Sequence, residues 1–402
     1  MRKTEEANRS AGSRRKPVSS GSGRPPVEAK RRNDPRAAAE KRRLAGSKNI
    51  LVPAFAKDLL RWYARHRRDL PWRRTIDPYA IWISEIMLQQ TTVNAVIPHY
   101  GRWLKTFPDV RSLARARPQK VLKAWQGLGY YARARNLHAA AKIVVAEFDG
   151  RLPREREKVR HLPGFGPYTT AAVLSLAFGE PLPVIDANVR RVVMRLARIR
   201  GKAGSDKDAA IMAYILAVFP PGKPGAFNQA MMELGALVCK PRSPQCLLCP
   251  VSAFCKAYEA GEQEIIPAAS KRSSRRIEAV VAVIERNGKY LIQKRPSSGL
   301  LAGLWEFPGG KREPGETIKE ALAREVREEL GVEIREARPL LTVRHSYTEY
   351  RVTLHAFACD IVGEPKPDPK RLRWVAPRDM RRYPFPSGTA RILGTQYQFP
   401  NF

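Results

Sequence analysis

Apolar residues recur at spacings of three and four from residue 50 to about residue 259, which is the period of amphipathic helices. Glycine and proline separate the segments that carry this period. The pattern therefore predicts a mostly α-helical domain over residues 49–260. Its clearest segments are FAKDLLRWYARH, YAIWISEIMLQQ, HYGRWLKTF, QKVLKAW, ARNLHAAAKIVVAEF, TTAAVLSLAFG, ANVRRVVMRLARI and NQAMMELGALV.

The period changes after a polar and basic stretch, GEQEIIPAASKRSSRR, which we interpret as an interdomain linker over residues 261–276. Beyond it, EAVVAVIERNGKYLIQKR predicts a β-hairpin whose turn is Asn287-Gly288. The charged run 317–330 predicts a helix, and YRVTLHAFACDIV predicts a further strand. The second domain is therefore expected to be α/β and to span residues 277–399.

Residues 1–48 contain 15 lysines and arginines against 5 aspartates and glutamates, and almost no large apolar side chain. Such a composition cannot bury enough apolar surface to fold, so it predicts a disordered basic tail. The tail fits either an accessory role in DNA affinity or an inert extension.

The charge of the whole chain points to a polyanionic partner. A formal net charge of +35 on 402 residues favours nucleic acid, because phosphate contacts release counterions. A basic membrane-surface protein is the alternative, but the chain has no apolar run of about 18 residues and no lipidation signal. The first residues also lack the apolar core of a secretory signal. We expect a cytoplasmic protein that acts as a monomer.

Four of the five cysteines fall within a short segment, in the spacing Cys239-x6-Cys246-x2-Cys249-x5-Cys255. Clustered cysteines indicate a metal site in a reducing compartment rather than a set of disulfides. Four thiolates suit a [4Fe–4S] cluster or an all-cysteine zinc site, and the ligands alone do not decide between them.

The stretch HLPGFGPYTTAAVLSLAFGEPLPVIDANVRRV places Gly164 and Gly166 at a turn that opens a helix. Backbone N–H groups at such a turn bind a phosphate without reading base sequence, although glycines also make ordinary helix–helix turns. Asp186 precedes the next helix, where it fits an N-cap or a functional carboxylate.

Glu85 lies in an apolar helical segment and shares a helical face with Ile81 and Leu88. A carboxylate on such a face is costly unless it is paired or functional. Burial would raise its pKa and make it a proton donor near neutral pH, whereas pairing with a nearby arginine would make it structural.

The segments RRDLPWR, WISEIMLQQT, GLGYYARARNLH, LPGFGPYT, VIDANVRRV and the cysteine loop over residues 239–255 occur in the order seen in the MutY family of adenine DNA glycosylases. This resemblance covers residues 50–260. It implies an endonuclease III-like helix–hairpin–helix glycosylase domain with a [4Fe–4S] cluster. It also implies hydrolysis of the N-glycosidic bond of adenine mispaired with 8-oxoguanine or guanine in double-stranded DNA.

The same resemblance implies roles for four residues of the catalytic centre. By the family motif, Glu85 protonates adenine at N7, Asp186 stabilises or bonds to the cationic sugar, and Asn188 supports Asp186. Tyr168 stands where strand-cutting relatives have a lysine, and a tyrosine cannot form a Schiff base with the sugar. The resemblance therefore implies a monofunctional glycosylase that leaves an abasic site, although Tyr168 also fits simple packing.

Further residues match the DNA-contacting positions of the family. Gln90 and Tyr130 match the wedge that fills the gap when adenine leaves the duplex, with Tyr131 as the alternative to Tyr130. Thr91 belongs to the same motif as Gln90. Core packing explains Trp72 and Leu88 nearly as well as contact with the base. The full set that matches the adenine pocket is Arg68, Leu70, Trp72, Arg73 and Leu88.

The C-terminal domain resembles Nudix hydrolases through GLLAGLWEFPGGK. In relatives with both domains it recognises 8-oxoguanine, and Tyr347 and Thr348 match that recognition loop. Glu349 stands where the family has histidine. The resemblance thus predicts an α/β, Nudix-like 8-oxoguanine recognition domain.

Residues 310–332 also satisfy the complete Nudix pattern G-x5-E-x7-R-E-U-x-E-E-x-G-U, where U is apolar. Glu325, Glu328 and Glu329 would lie on one helical face, where carboxylates suit Mg²⁺. A second activity, Mg²⁺-dependent nucleotide pyrophosphatase, is therefore the alternative to a charged helix that is kept for fold and docking. A non-catalytic lesion sensor is a third alternative, but the presence of both Glu85 and Asp186 argues against it.

Overall fold

The computed structural model describes residues 54–269, 275–299, 301–347 and 350–394, and only the backbone of Tyr347. The predicted tail over residues 1–48 and the predicted recognition residue Thr348, with its neighbour Glu349, lie outside the described residues. In the described ranges, none of the helices has the length and apolar character needed to cross a bilayer.

Helices form the described chain from residue 54 to Glu259, and the prediction of a mostly α-helical first domain is confirmed. Short 3-10 helices lie at Pro71–Arg73, Ser205–Lys207, Cys246–Leu248 and Ser252–Phe254. The α-helices are α1 (54–66), α2 (Pro78–Leu88), α3 (Val93–Thr106), α4 (Val110–Arg115), α5 (Pro118–Ala124), α6 (Ala132–Glu147), α7 (Arg156–His161), α8 (Pro167–Ala177), α9 (Ala187–Leu196), α10 (Asp208–Val218), α11 (Pro224–Leu237) and α12 (Lys256–Glu259).

All eight predicted segments correspond to helices, and α4, α7, α10 and the four-residue α12 were not predicted. Helices α4 and α7 have six residues each, which is too short to display a helical period. The sequence of α10, DAAIMAYILAV, is apolar on most of its circumference, so no single apolar face marks it as a helix.

The helical part has two hydrophobic cores, and α2 lies deep in the first of them. The first core gathers residues of α2, α3, α6 and α8, and the second gathers residues of α1, α9, α10 and α11. All nine residues from Tyr79 to Met87 are buried. Asp77 caps the start of α2 by accepting hydrogen bonds from the backbone N–H groups of Tyr79 and Ala80. A polar side chain on α2 is therefore held where water is scarce.

The second part is a sheet between helices, and the predicted α/β class is confirmed. Its strands are β1 (Arg275–Arg286), β2 (Lys289–Lys294), β3 (Trp305–Glu306), β4 (Glu333–Tyr347), β5 (Tyr350–Val362) and β6 (Leu372–Val375), and its helices are α13 (Ile318–Leu330), α14 (Pro377–Met380) and α15 (Ser387–Leu393). Strands β1 and β5 pair in parallel, β4 pairs antiparallel with β5, and β2 pairs antiparallel with β1, β3 and β6.

Alternation along β1 explains how this sheet is covered on both faces. Val280, Ala282 and Ile284 pack towards α13, while Val281 and Val283 pack towards α15. The predicted hairpin is also present. Asn287 and Gly288 join β1 to β2 with φ angles of 51° and 70°, as a two-residue hairpin turn requires.

Hydrogen bonds connect the helical part to the loops around the sheet. The Tyr131 hydroxyl donates to the carbonyl of Phe385 over 3.2 Å. Lys123 donates to the carbonyl of Tyr383 over 3.1 Å, and Arg135 donates to the carbonyl of Ala302 over 3.0 Å. These contacts lie on α5, the start of α6 and the segment between them.

Candidate active site

A cavity of about 230 Å³ lies between α2, α8, α9 and α11. Because α2 and α8 belong to the first core and α9 and α11 to the second, the cavity lies where the two cores meet. Ile81 and Leu88, which share a helical face with Glu85, also line it. Ten of the residues singled out from the sequence line this cavity: Arg68, Leu70, Trp72, Arg73, Glu85, Leu88, Thr91, Tyr168, Asp186 and Asn188.

Glu85 is the carboxylate of α2, and only 4% of its surface is exposed. Burial raises its pKa to about 7, because the charged form loses its hydration. A hydrogen bond from Tyr168 and the charge of Arg73 work in the opposite direction, and the charge of Asp186 adds to the increase. At neutral pH the Glu85 carboxyl therefore exists in both its protonated and its ionised form.

Tyr168 approaches Glu85 from the start of α8. Its hydroxyl lies 2.8 Å from Glu85 Oε2 and 3.6 Å from Met232 Sδ. Burial, together with the nearby carboxylates of Glu85 and Asp186, raises the Tyr168 pKa well above its usual value. The Tyr168 hydroxyl therefore stays protonated and donates this hydrogen bond, which stabilises the ionised form of Glu85.

Asp186 is the N-cap of α9 as well as a wall of the cavity, so the two interpretations of this residue are compatible. Its Oδ1 accepts from the Val189 N–H over 2.6 Å, and its Oδ2 accepts from Asn188 Nδ2 over 2.9 Å. Burial raises the Asp186 pKa, while these hydrogen bonds and the charge of Arg191 lower it. Both oxygens are therefore oriented by donors that favour the charged form.

Asn188 is in turn held by contacts that the sequence did not reveal. Arg191 donates from Nη2 to Asn188 Oδ1 over 2.9 Å and to the carbonyl of Gly235 over 2.8 Å. A Cβ atom on Gly235 would lie 2.6 Å from the Cβ of Asn188. The glycine therefore allows α11 to pack closely on α9 at this residue.

Arg68 and Arg73 line the cavity, but their guanidinium groups are both paired with Glu233 on α11. Five hydrogen bonds of 2.7–3.0 Å join these arginines to the Glu233 carboxylate. Burial alone would raise the Glu233 pKa, yet the hydrogen bonds from Arg68 and Arg73 lower it to about 2. Glu233 was not predicted. It is a lone carboxylate in the apolar segment NQAMMELGALV, which is the same signal that singled out Glu85.

Leu70, Trp72 and Leu88 belong to the core and to the cavity wall at once. Leu70 and Trp72 are buried members of the first core, and Leu88 packs against it. The Trp72 ring meets Tyr100 edge-on, with ring centroids 5.5 Å apart. Core packing of Trp72 and Leu88 is therefore present in the fold, and both side chains also line the cavity, where contact with a base stays a prediction.

Four predicted DNA-contacting residues lie outside the cavity, on turns at helix ends. Gln90 follows α2 and Tyr130 precedes α6, and both have a left-handed backbone, with φ angles of 56° and 48°. Gly166 is the N-cap of α8, and Gly164 has a φ of 85°, which favours glycine. The Tyr130 side chain is 38% exposed, whereas Tyr131 is buried. Of the two tyrosines, Tyr130 is the one accessible to a ligand.

The four clustered cysteines all line one small cavity of about 20 Å³. In the described residues, no three His, Cys, Asp or Glu side chains lie close enough to share a single metal ion. All four donors are thiols, which fit an iron–sulfur cluster as well as a zinc ion. Burial raises the pKa of the Cys249 thiol to about 12, so a positively charged group is needed to form the thiolate.

A buried arginine supports the cysteine loop from α9. Arg195 is 1% exposed, and its Nη1 lies 3.2 Å from Cys239 Sγ and 2.7 Å from the carbonyl of Lys240. Arg191, one helical turn earlier, donates to the carbonyl of Cys239 over 2.8 Å. Helix α9 therefore contacts the cysteine loop at one end and the cavity at the other.

A separate cavity of about 500 Å³ lies in the second domain, beside the glutamate-rich pattern of residues 310–332. Glu329 lines it, and its Oε2 accepts hydrogen bonds from the Gly309 N–H over 2.8 Å and from Gln293 Nε2. Burial raises the Glu329 pKa to about 7. This carboxylate is thus bound to protein donors and only partly ionised at neutral pH.

The other two carboxylates of that pattern are paired with an arginine of the same helix. Arg324 Nη1 lies 3.0 Å from Glu325 Oε1 and 3.2 Å from Glu328 Oε2, and Arg324 Nε lies 2.6 Å from Glu316 Oε1. A Cβ on Gly310 would lie 2.2 Å from Glu325 Oε1, which explains the glycine of the pattern. One arginine therefore pairs with three carboxylates of the pattern.

Three family models match separate parts of the chain. A model described as a NUDIX domain matches residues 279–395. A model of the HhH-GPD superfamily of base excision DNA repair proteins matches residues 83–221, and one of the iron–sulfur binding domain of endonuclease III matches residues 239–255. The cysteine loop is thus an iron–sulfur loop, and a [4Fe–4S] cluster is its cofactor.

Curated relatives match across both domains. The adenine DNA glycosylase of Homo sapiens is 35% identical over 388 residues, which cover 81% of this chain and 70% of the relative. That of Mus musculus is 34% identical over 392 residues, which cover 81% and 74%. That of Mycolicibacterium smegmatis is 42% identical over 206 residues, which cover 51% and 69%.

Proposed function

Because this chain belongs to the adenine DNA glycosylase family of base-excision repair, we propose that its substrate is adenine mispaired with 8-oxoguanine or guanine in double-stranded DNA. The proposed reaction hydrolyses the N-glycosidic bond and leaves an abasic site. The observation that carries the proposal is one cavity that holds both a buried glutamate with a pKa of about 7 and an aspartate oriented by two hydrogen bonds.

Glu85 is the proposed general acid. A proton donor works best when its pKa is near the working pH, and burial brings Glu85 to that value. Transfer of its proton to N7 of adenine makes the base a neutral leaving group. The bond between sugar and base then breaks with both electrons going to adenine, and the sugar becomes positively charged.

Asp186 is the proposed partner of that cationic sugar, and Asn188 holds it in place. The carboxylate stabilises the positive charge or bonds to the sugar carbon, and water then completes the hydrolysis. Two carboxylates in different environments suit two roles, since one must carry a proton while the other stays ionised. The donors from Val189 and Asn188 favour the ionised form of Asp186.

The proposed reaction stops at the abasic site. A strand-cutting glycosylase needs an amine that attacks the sugar and forms a Schiff base. Among the described residues that line the cavity there is no lysine, and the Tyr168 hydroxyl is engaged with Glu85. These observations support a monofunctional enzyme.

Adenine must leave the duplex to reach Glu85, which costs a few kcal/mol of unstacking. We propose that Gln90 and Tyr130 fill the gap and that the turn at Gly164 and Gly166 binds a backbone phosphate. The exposed ring of Tyr130 and the left-handed turns support these roles. The proposed adenine pocket is formed by Arg68, Leu70, Trp72, Arg73 and Leu88, with Thr91 at its edge.

For the second domain we propose recognition of the opposing base, through the segment that contains Tyr347 and Thr348, rather than nucleotide hydrolysis. The hydrogen bonds that engage Glu325, Glu328 and Glu329 support this choice. The full-length protein should release no pyrophosphate from 8-oxo-dGTP with Mg²⁺. Release that disappears in Glu328→Gln would establish the pyrophosphatase instead.

The central test is a single-turnover incubation with a duplex that contains adenine opposite 8-oxoguanine. Strand breakage should appear only after alkali, because the enzyme itself leaves the strand intact. Glu85→Gln should slow adenine release by about 10³-fold, since general acids contribute on that order. Glu147→Gln, the same change on an exposed carboxylate of α6, is the matched control. Breakage without alkali would contradict the monofunctional mechanism, and an active Glu85→Gln would contradict the acid.

A further inference from the structure

The turns that carry Gln90 and Tyr130 are joined by one side chain, Arg133, in the first turn of α6. The two turns are 40 residues apart in the sequence, and each holds its residue in a left-handed backbone conformation. Such conformations cost free energy in residues other than glycine, and they persist only where surrounding contacts hold them. Arg133 supplies contacts of this kind to both turns.

The first nitrogen of the guanidinium group, Nη1, binds the turn that contains Gln90. It donates to the carbonyl of Ile86 over 2.8 Å, to that of Met87 over 3.0 Å and to that of Gln89. These carbonyls lie at the end of α2, where the helix itself provides no donors for them. Arg133 therefore caps α2 and fixes the residue directly before Gln90.

The second nitrogen, Nη2, binds the turn that contains Tyr130. It donates to the carbonyls of Leu128 and Gly129 over 3.0 and 3.2 Å, directly before Tyr130. It also donates to Thr91 Oγ1 over 3.0 Å, directly after Gln90. The Thr91 hydroxyl in turn lies 3.4 Å from the carbonyl of Leu128, so the two turns are also linked to each other.

The Arg133 guanidinium group also contacts two aromatic rings. Its central carbon lies 5.2 Å from the centroid of the Trp125 ring and 5.4 Å from that of the Tyr130 ring, within cation–π range. Trp125 is fully buried and donates from Nε1 to the carbonyl of Gly129 over 3.0 Å. The Tyr130 ring is thus oriented by a group that is itself anchored in the core.

We propose that Arg133 is a positioning residue that fixes the two turns relative to each other, so that Gln90 and Tyr130 enter the DNA duplex as one unit. The inference rests on the proposed function, because it takes the role of these two residues from there. Arginine is required because its planar fork offers separate donors to each turn. A lysine ammonium carries the same charge on a single nitrogen and cannot serve both turns.

The test is a double-mutant cycle with Arg133→Lys and the pair Gln90→Ala and Tyr130→Ala. Extrusion of the target base is followed as the fluorescence rise of 2-aminopurine placed in the duplex at the adenine position, and adenine release is followed separately. Arg133→Lys should slow extrusion by roughly 10- to 100-fold in the otherwise unchanged protein, because small misplacements have effects of this size. In the protein that lacks Gln90 and Tyr130, the same change should slow extrusion less than about twofold, since no wedge remains to be positioned.

Arg65→Lys, the same change at an exposed residue of α1, is the matched control and should leave extrusion unchanged. Equal slowing in both backgrounds, or normal extrusion by Arg133→Lys, would overturn the inference. If Arg133→Lys does not fold, Thr91→Val takes its place, because it removes only the hydroxyl between Nη2 and the carbonyl of Leu128. Extrusion needs no bond cleavage, so a wild-type protein that extrudes the base without releasing adenine would refute the proposed reaction and leave this inference standing.

Discussion

Glu85 and Glu233 line one cavity from two different helices, and both are almost completely buried, with 4% and 1% of their surface exposed. Each is a lone carboxylate in an apolar helix. Even so, the pKa of Glu85 is raised to about 7, whereas that of Glu233 is lowered to about 2. Burial disfavours the charged form of both residues, so the difference comes from their partners.

The partners differ in number and in charge. Glu85 accepts one hydrogen bond from a neutral hydroxyl, that of Tyr168. Glu233 accepts five hydrogen bonds from Arg68 and Arg73. A carboxylate that is paired with cations stays ionised and orders them, and a buried one without such pairing can hold a proton. The same residue type thus anchors two arginines on one helix and, on the other, fits the proposed role of proton donor.

Loss of the anchor should have the largest effect on stability. Glu233→Gln leaves two arginines facing a neutral amide, and we expect it to reduce the free energy of unfolding at pH 7 by about 3 kcal/mol. The Glu233 pKa is lowered on folding, so its contribution is complete above the unfolded pKa of about 4.5 and is lost as the pH falls towards 2. Denaturant unfolding at pH 7 and at pH 3 measures both effects. A loss below 1 kcal/mol at pH 7 would mean that the arginine pairs of Glu233 do not stabilise the fold, and the contrast with Glu85 would then fail.

The proton donor should show the reverse dependence on pH. The Glu85 pKa is raised on folding, so ionisation of Glu85 costs stability as the pH rises from about 4.5 through 7. Relative to wild type, Glu85→Gln should therefore gain about 3 kcal/mol of unfolding free energy between pH 5 and pH 8. Denaturant unfolding of the two proteins at both pH values provides the measurement, with Glu147→Gln as the control. A stability difference that does not change with pH would mean that Glu85 remains ionised in the fold.

The smallest expected effect concerns Tyr168, whose hydroxyl donates a hydrogen bond to Glu85. The proposed mechanism requires protonated Glu85, so the single-turnover rate should fall as the pH rises through about 7. The Tyr168 hydroxyl stabilises the ionised form, so Tyr168→Phe should raise the Glu85 pKa and move this decline to higher pH by about one unit. Rate profiles from pH 5 to pH 9 for both proteins test the shift. A decline that moves to lower pH would show that Tyr168 favours the protonated form.

These two glutamates also show how far the sequence alone could lead. Glu85 was recognised because a carboxylate interrupts an apolar helical face, and the same reasoning would have found Glu233. What could not be found is the identity of the partners. Glu233 lies 165 residues from Arg68, and no local pattern connects them. The helical period identified eight of the helices, but it does not report which helices meet, and the cavity exists only where they do.

Motif order identified Gln90 and Tyr130 as a pair, but it gave no reason why they should act together. The proposed reason is that Arg133 donates hydrogen bonds to backbone carbonyls of both turns. Every residue has a backbone carbonyl, so the sequence does not show which of them an arginine will bind. The hairpin at Asn287-Gly288 is the opposite case. Its turn residues are dictated by local backbone conformation, so a dipeptide was enough to locate it.

Asp186 caps α9 through the Val189 N–H and also lines the cavity. Its replacement by alanine would therefore cost about 1 kcal/mol of helix capping in addition to the lost chemistry. Asparagine would retain an oxygen for the cap, and by the proposed mechanism it would give a folded, inactive protein. Substitution at this one residue can therefore separate two losses: alanine removes the cap together with the carboxylate, whereas asparagine removes the carboxylate alone.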